Sequence, residues 1–133
     1  MKKQLAAYFA ALLTMLVLDG AWIGFAARSF YQSGIGHLMA DAPYLPAALL
    51  FYLVYPVGLM LFVIVPMASK TTRQALLRGA LFGFFAYATY DLSNWATLKS
   101  WPASVAVVDM LWGAFATACA TACARFAWGR SDR

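Results

Sequence analysis

Long apolar stretches separated by short polar connections run along the whole chain. A helix of about 20 residues crosses the roughly 30 Å of hydrocarbon in a bilayer, and four stretches reach that length. They are predicted as helices at about 5–27, 45–68, 74–98 and 103–128. The pattern therefore predicts an all-α fold, an integral membrane bundle of four transmembrane helices that forms a single domain over residues 1–133.

The composition agrees with a membrane protein and excludes a soluble domain. Hydrophobic residues make up 64% of the chain, charged residues make up 11%, and the mean hydropathy is +0.70. A soluble domain of this size needs many more charges to cover its surface. A basic start followed by an apolar run is also typical of a signal peptide, but Asp19 and Trp22 interrupt the run and no clean cleavage site follows.

Basic residues are distributed unevenly between the connections, which predicts the orientation. Cytoplasmic segments of membrane proteins hold an excess of Lys and Arg. Eight of the ten basic residues lie at the chain ends and around the second connection: Lys2, Lys3, Lys70, Arg73, Arg78, Arg125, Arg130 and Arg133. The other two connections hold only Arg28 and Lys99. Both termini are therefore predicted in the cytoplasm, and the net charge of +5 reflects topology and anionic lipids rather than a nucleic-acid partner.

Three acidic residues lie inside the predicted helices at a common depth. Asp19, Asp91 and Asp109 are six to eight residues from the outer ends of their helices. At 1.5 Å of rise per residue, that places all three roughly 9 to 12 Å below the outer surface. No basic residue is predicted at this depth. Because a lipid-facing carboxylate is costly, we expect the three acids to face one another.

Aromatic residues accompany the acids in recurring patterns. An Asp is followed three residues later by Trp in both the first and the fourth helix, and Tyr-x-x-Tyr occurs in the second and third. Pro56 cannot donate a helical hydrogen bond to the carbonyl of Tyr52, which leaves that oxygen free. The predicted ligand-binding residues are Asp19, Trp22, Tyr52, Tyr55, Tyr87, Tyr90, Asp91, Asn94, Asp109 and Trp112.

The chemistry of this cluster favours binding of a cation. Neighbouring carboxylates cannot all stay ionised without compensation, so either some hold protons or a cation occupies the site. Hydroxyl, indole and amide groups can donate to the ionised acids, and aromatic faces can bind an organic cation. Whether a metal ion binds is open. The competing interpretation is structural, because intramembrane Asp, Asn and Tyr also join helices by hydrogen bonds.

Other features are assigned to packing or to the surface. Gly79 and Gly83, and the small residues around Cys119 and Cys123, are expected to let helices approach closely. His37 is a solvated loop residue in the simplest interpretation. Phe30 and Tyr31 are typical of an aromatic interface belt, and Gly34 and Gly36 are typical of turns. No catalytic motif of known mechanism is present, so an enzyme is disfavoured and no cofactor is expected.

Five stretches of the chain carry a family resemblance: LDGAW, FYQSGIGHLM, AALLFYLVYPVGLMLFVIVP, GALFGFFAYATYDLSNWATLKSWP and VVDMLWG. In these stretches, over about residues 18–113, the chain resembles a family of small bacterial membrane proteins known as domain of unknown function 2177. The resemblance implies four helices in a bacterial inner membrane and no particular activity. The family pattern falls on Asp19, Trp22, Phe30, Tyr31, Gly36, Tyr52, Tyr55, Gly58, Tyr90, Asp91, Asn94, Trp101, Pro102, Asp109, Trp112 and Gly113.

Three functions remain open on the sequence. The favoured hypothesis is a small transporter or permease that binds a cation or a proton-coupled small molecule at the acidic-aromatic cluster. A second is a membrane enzyme or accessory subunit acting on lipid or fatty-acyl chains, with the carboxylates as acid and base. A third is a structural or sensory partner of another membrane protein. Four helices barely enclose a pathway, so a homodimer is plausible.

Overall fold

The computed structural model describes residues 1–130, so Arg133 of the basic count lies outside the described residues. Within that part of the chain every regular element is helical. The α-helices are α1 (Lys2–Ala21), α2 (Arg28–Ile35), α3 (Leu45–Leu59), α4 (Thr72–Thr97) and α5 (Ala103–Arg130). Single π-helical segments, Trp22–Ala26 and Met60–Ile64, continue α1 and α3, and a 3-10 turn, Gly36–Leu38, follows α2.

Three of the four predicted spans are long and apolar enough to cross a membrane. They are Lys2–Ala26, Leu45–Ile64 and Ala103–Gly129. The second ends four residues before its predicted limit, shortly before Pro66, which cannot continue a helix. The prediction of four clear spans is corrected at α4, which is a helix of 26 residues where expected but is not among these candidates. Polar residues such as Asp91 and Asn94 in its outer half make it less apolar.

Helix α5 lies between α1 and α4 and packs most extensively against them. The contact with α4 depends on small residues. A methyl group added at Gly79 would lie 2.1 Å from the Thr121 hydroxyl, and one added at Gly83 would lie 2.1 Å from the Gly113 carbonyl oxygen. The predicted packing role of Gly79 and Gly83 is therefore confirmed.

One end of the bundle, called the inner end here, holds the beginning of α1, the end of α5 and the α3–α4 connection. The Arg125 guanidinium donates hydrogen bonds to the carbonyls of Met67, at 2.6 Å, and Lys70, at 2.8 Å. The Lys3 ammonium lies 5.3 Å from the ring centre of Trp128. The beginning of α1 and the end of α5 therefore share one end of the bundle, while the assignment of that end to the cytoplasm stays a prediction.

The opposite, outer end carries α2, which sequence patterns did not predict. Tyr31 of α2 packs into a small core with Trp101, Val105 and Ala106. Gly34 was expected in a turn, but it belongs to α2. A methyl group there would come 2.8 Å from the Val105 side chain, so glycine allows α2 to approach α5 closely. Helix α2 therefore closes over the outer end of α5.

Candidate functional site

Asp19 lies near the end of α1 and joins three helices. Its side chain is 3% exposed. One carboxylate oxygen accepts a hydrogen bond from the Tyr52 hydroxyl of α3 at 3.0 Å, and the other accepts from the Trp112 indole of α5 at 2.9 Å. Two donors compensate part of the cost of burying this carboxylate in an apolar bundle.

Asp109 on α5 is held from the outer end by α2. The Tyr31 hydroxyl donates a hydrogen bond to its carboxylate, and the Trp22 indole donates to the Tyr31 oxygen at 3.1 Å. The rings of Trp22 and Trp112 stack with their centroids 4.3 Å apart and their planes 5° from parallel. The stacked pair therefore connects the hydrogen bonds of Asp19 with those of Asp109.

Tyr31 is the functional-site residue that sequence patterns misplaced. It was expected in an interface belt, but it is only 7% exposed and contacts Asp109. Burial, reinforced by the neighbouring Asp109, raises the pKa of the Tyr31 hydroxyl, which therefore stays protonated and remains a donor. Since α2 has no long periodic pattern, the only sequence signal was the family resemblance, which included Tyr31.

Asp91 on α4 differs from the other two acids. It is completely buried, and its carboxyl lies beside that of Asp109, close enough for a hydrogen bond if one of the two acids holds the proton. Neither oxygen accepts a hydrogen bond from an N–H or hydroxyl group within residues 1–130. Asp91 therefore lacks the donors that compensate the burial of Asp19, and a buried polar group without a partner costs about 1–3 kcal/mol.

A cavity of about 280 Å³ lies between these elements near the outer end. Its lining residues are Asp19, Trp22, Ile23, Tyr31, Ile35, Met39, Tyr87, Tyr90, Asp109 and Trp112. Six of the ten predicted ligand-binding residues are among them. The expected meeting of all three acids in one space is only partly found, because Asp91 does not line the cavity.

The remaining predicted residues surround the cavity without lining it. Tyr52 reaches it only through Asp19. The hydroxyls of Tyr55 and Thr117 are hydrogen bonded to each other, 2.7 Å apart, between α3 and α5. Asn94 lies half-buried on α4, almost one turn beyond Asp91. These side chains are placed to support the cluster rather than to contact a ligand in the cavity.

The residues that could hold a metal ion are too few in any one place. Within residues 1–130, no group of three or more His, Cys, Asp or Glu side chains is arranged for metal binding. Cys119 and Cys123 are free thiols on α5. The cavity instead combines two carboxylates with aromatic rings, an arrangement that can attract an organic cation by charge and by cation–π contact.

A second depression, the vestibule, lies beside the cavity at the outer end. Its volume is about 470 Å³, and its polar lining includes Arg28, Gln32 and Asp41. It shares Tyr31 with the cavity, along with Ile23 and Met39. Tyr31 therefore stands between the vestibule and Asp109. His37, on the adjoining 3-10 turn, is exposed and lines neither space.

Comparison with known proteins identifies the membrane class of the chain. A family model described as "Predicted membrane protein (DUF2177)" matches residues 4–126. This range includes every lining residue of the cavity. No curated protein and no solved structure matches the chain. A functional proposal therefore depends on the geometry of the acidic-aromatic cluster.

Proposed function

We propose that this chain, which belongs to the DUF2177 family of predicted membrane proteins, is a small transporter for positively charged organic molecules. The ligand would bind in the 280 Å³ cavity, between Asp19 and Asp109. The observation that carries the proposal is the pairing of these two carboxylates with Trp22 and Trp112 in one space within an apolar bundle.

The charge of the cavity supports a cationic ligand. The hydrogen bonds that the two lining acids accept come from neutral Tyr and Trp groups, which offset desolvation but bring no positive charge to the cavity. Carboxylates within membrane-spanning segments are costly and mark ion or substrate pathways. A cation between Asp19 and Asp109 would neutralise that charge and contact aromatic rings.

The size and ligand set of the cavity support a small organic molecule over a metal ion. Sites for drug-sized ligands occupy roughly 300–1,000 Å³, so a cavity of about 280 Å³ fits a smaller molecule. Within the described residues no third His, Cys, Asp or Glu is arranged with the two carboxylates, so a metal ion there would have to keep several of its water ligands. A quaternary or protonated amine needs only charge and aromatic surface.

The location of the cavity supports entry from the outer end. The vestibule adjoins the cavity there, and Tyr31 of α2 lies between the two spaces. Together with the excess of Lys and Arg at the inner end, this favours a cytoplasmic membrane location with both termini inside the cell. On this proposal the cavity faces the exterior in the described conformation.

Binding is tested with tetramethylammonium on the purified protein in lipid nanodiscs. A ligand that binds the folded state at 100 times its dissociation constant stabilises that state by about 2.7 kcal/mol. We expect the melting temperature of the wild type to rise with tetramethylammonium concentration, and that of Asp109→Asn to remain constant. Asp41→Asn, which removes an exposed acid of the vestibule and not of the cavity, is the matched control; since it can alter only the route of entry, its response at equilibrium should equal that of the wild type.

Transport is tested separately, by uptake of radiolabelled tetramethylammonium into proteoliposomes. Binding and uptake that both require Asp109 would support the proposal. Binding without uptake would contradict transport and leave a binding protein. If tetramethylammonium stabilises no form of the protein, the binding proposal fails, and a melting temperature of Asp109→Asn below that of the wild type would then show that the cluster only joins helices.

A further inference from the structure

A groove separates the outer halves of α3 and α4. Its volume is about 480 Å³, and its lining residues are Phe51, Tyr55, Ala86, Tyr87 and Tyr90. Phe51 is 38% exposed and Tyr90 is 55% exposed. Since both helices belong to an apolar bundle and these rings are uncovered, the groove opens sideways to lipid.

The groove exists because α3 and α4 diverge toward the outer end. Of α3 and the segment that follows it, α4 contacts mainly the latter, Met60–Ile64. Further out, only large rings bridge the two helices. Tyr55 lies 5.6 Å from Phe82 and 6.4 Å from Tyr87, measured between ring centroids. The rings hold the helices apart and leave the space beside them open.

Tyr87 forms the boundary between the groove and the cavity. Tyr87 and Tyr90 line both spaces. The Tyr87 ring lies directly over Gly113 of α5, where an added methyl group would come 2.4 Å from the ring. The Tyr87 ring therefore contributes to the lining of both the space with Asp19 and Asp109 and the apolar groove. A molecule with a polar and an apolar part could occupy both spaces past Tyr87.

We infer that the ligand class is a cationic amphiphile with one alkyl chain, its positively charged head in the cavity and its chain in the groove between α3 and α4. The inference rests on the proposed function, since the head occupies the proposed cation site. The acids of the cavity select the charge of the head. The aromatic and alanine lining of the groove selects an apolar chain, and its opening to lipid provides a lateral route of entry.

The dimensions of the groove argue against a partner helix as its occupant. An α-helix with side chains is about 10 Å wide and rises 5.4 Å per turn, so a volume of about 480 Å³ holds roughly one turn. A partner helix could therefore not lie inside the groove and could insert only side chains from outside it. A single alkyl chain, which is much thinner, can extend along the same space.

The test uses alkyltrimethylammonium ions of increasing chain length, from tetramethylammonium to butyl- and octyltrimethylammonium, with protein in nanodiscs and empty nanodiscs as the partition baseline. Ala86→Phe fills the groove without altering a lining residue of the cavity. Ala96→Phe, on an exposed position of the same helix, is the matched control. Ala86→Leu is a milder second variant if the larger side chain prevents folding.

We expect tetramethylammonium to bind wild type, Ala86→Phe and Ala96→Phe within twofold of one another. Octyltrimethylammonium should bind wild type and Ala96→Phe at least tenfold more tightly than Ala86→Phe. Octyl sulfate, which has the same chain and an anionic head, should not compete.

Three other outcomes overturn the inference and are distinguishable. If tetramethylammonium binds but octyltrimethylammonium binds Ala86→Phe as tightly as wild type, the groove holds no chain and only the cation site stands. Equal competition by octyl sulfate would likewise contradict a cationic head. If no ammonium ion binds any form of the protein, the cation site and the amphiphile both fail.

Discussion

The inner and outer parts of the bundle are built from different side chains and differ in how tightly they close. Toward the inner end and the middle, α4 and α5 meet through Gly79, Gly83, Thr117 and Thr121, with no space for an added methyl group. Toward the outer end, Tyr and Trp rings surround acids and leave spaces of about 280 and 480 Å³. Small residues allow close approach of helices, whereas large rings hold them apart.

This contrast predicts a division between a part that stabilises the bundle and a part that tolerates substitution. The tightly packed α4–α5 contact should determine whether the bundle forms. The outer cluster should tolerate change more readily, because its cavities already leave side chains incompletely packed. Four substitutions test that division, beginning with the one of largest expected effect.

Gly83→Ala should disrupt the bundle most. The new methyl group would lie 2.1 Å from the Gly113 carbonyl oxygen, which belongs to the backbone and cannot rotate away. Since overpacking of a tight core costs typically 1–3 kcal/mol and more where the backbone must shift, we expect a loss of at least about 3 kcal/mol. Unfolding by denaturing detergent, followed by circular dichroism, measures it. Gly20→Ala on α1, with no atom within 4 Å of the new methyl group, should be nearly neutral. Equal effects at both positions would contradict close packing at Gly83.

Asp19→Ala should have the next largest effect. It leaves the Tyr52 hydroxyl and the Trp112 indole without their acceptor, and each buried unsatisfied donor costs about 1–3 kcal/mol. We expect Asp19→Asn to recover part of the loss, because its amide oxygen still accepts one hydrogen bond. The same unfolding assay compares the two variants. A loss below 0.5 kcal/mol for Asp19→Ala, taken as roughly half the worth of one hydrogen bond, would show that these contacts do not join the helices.

Tyr31→Phe should weaken only the outer end. The hydroxyl makes hydrogen bonds with Asp109 and Trp22, and a hydrogen bond to a charged group contributes about 1.5–3 kcal/mol. Part of that loss is offset because phenylalanine has no hydroxyl group to bury. We expect faster amide hydrogen exchange in α2 with unchanged exchange in the α4–α5 contact. Tyr44→Phe, at a tyrosine that is 73% exposed, is the control. Uniformly faster exchange along the bundle would contradict a local role.

Asp91→Asn should have the smallest effect on stability. Neither Asp91 oxygen accepts a hydrogen bond from an N–H or hydroxyl group within the described residues, and an asparagine amide can still donate to the neighbouring Asp109 carboxylate. Removing an acid beside Asp109 also removes repulsion. We therefore expect a change between zero and a gain of about 1 kcal/mol in the unfolding assay, in contrast to Asp19→Ala. A loss comparable with that of Asp19→Ala would show that Asp91 also holds helices together.

Much of the fold was predictable because its signals are local. The apolar stretches predicted the four long helices to within a few residues, and the start of α4 at Thr72 carries its own signal in the capping box of Thr71 and Gln74. Gly79 and Gly83, four residues apart, indicated a close contact. The short helix α2 was missed because eight residues give too little periodicity, and its stability comes from packing on α5.

The candidate site was predictable in its residue types and not in its arrangement. The positions of Asp19, Asp91 and Asp109 in the predicted helices were enough to predict that they lie at one level. They did not reveal that Asp19 and Asp109 line a cavity while Asp91 is buried beside it, nor that Tyr31 reaches Asp109 from a connection. These differences depend on how each helix is rotated about its axis.

By itself the sequence determined the helical membrane class, the lengths of the helices and the shared depth of the acids, because hydrophobicity and helical rise act along one segment at a time. The tertiary structure alone decided which acids share a space, which donors satisfy them and where spaces remain between the helices. Those features depend on residues as far apart as Asp19 and Trp112, and on the rotation of α3, α4 and α5 against one another. No local pattern specifies that rotation, since it is set by the balance of packing over the whole bundle.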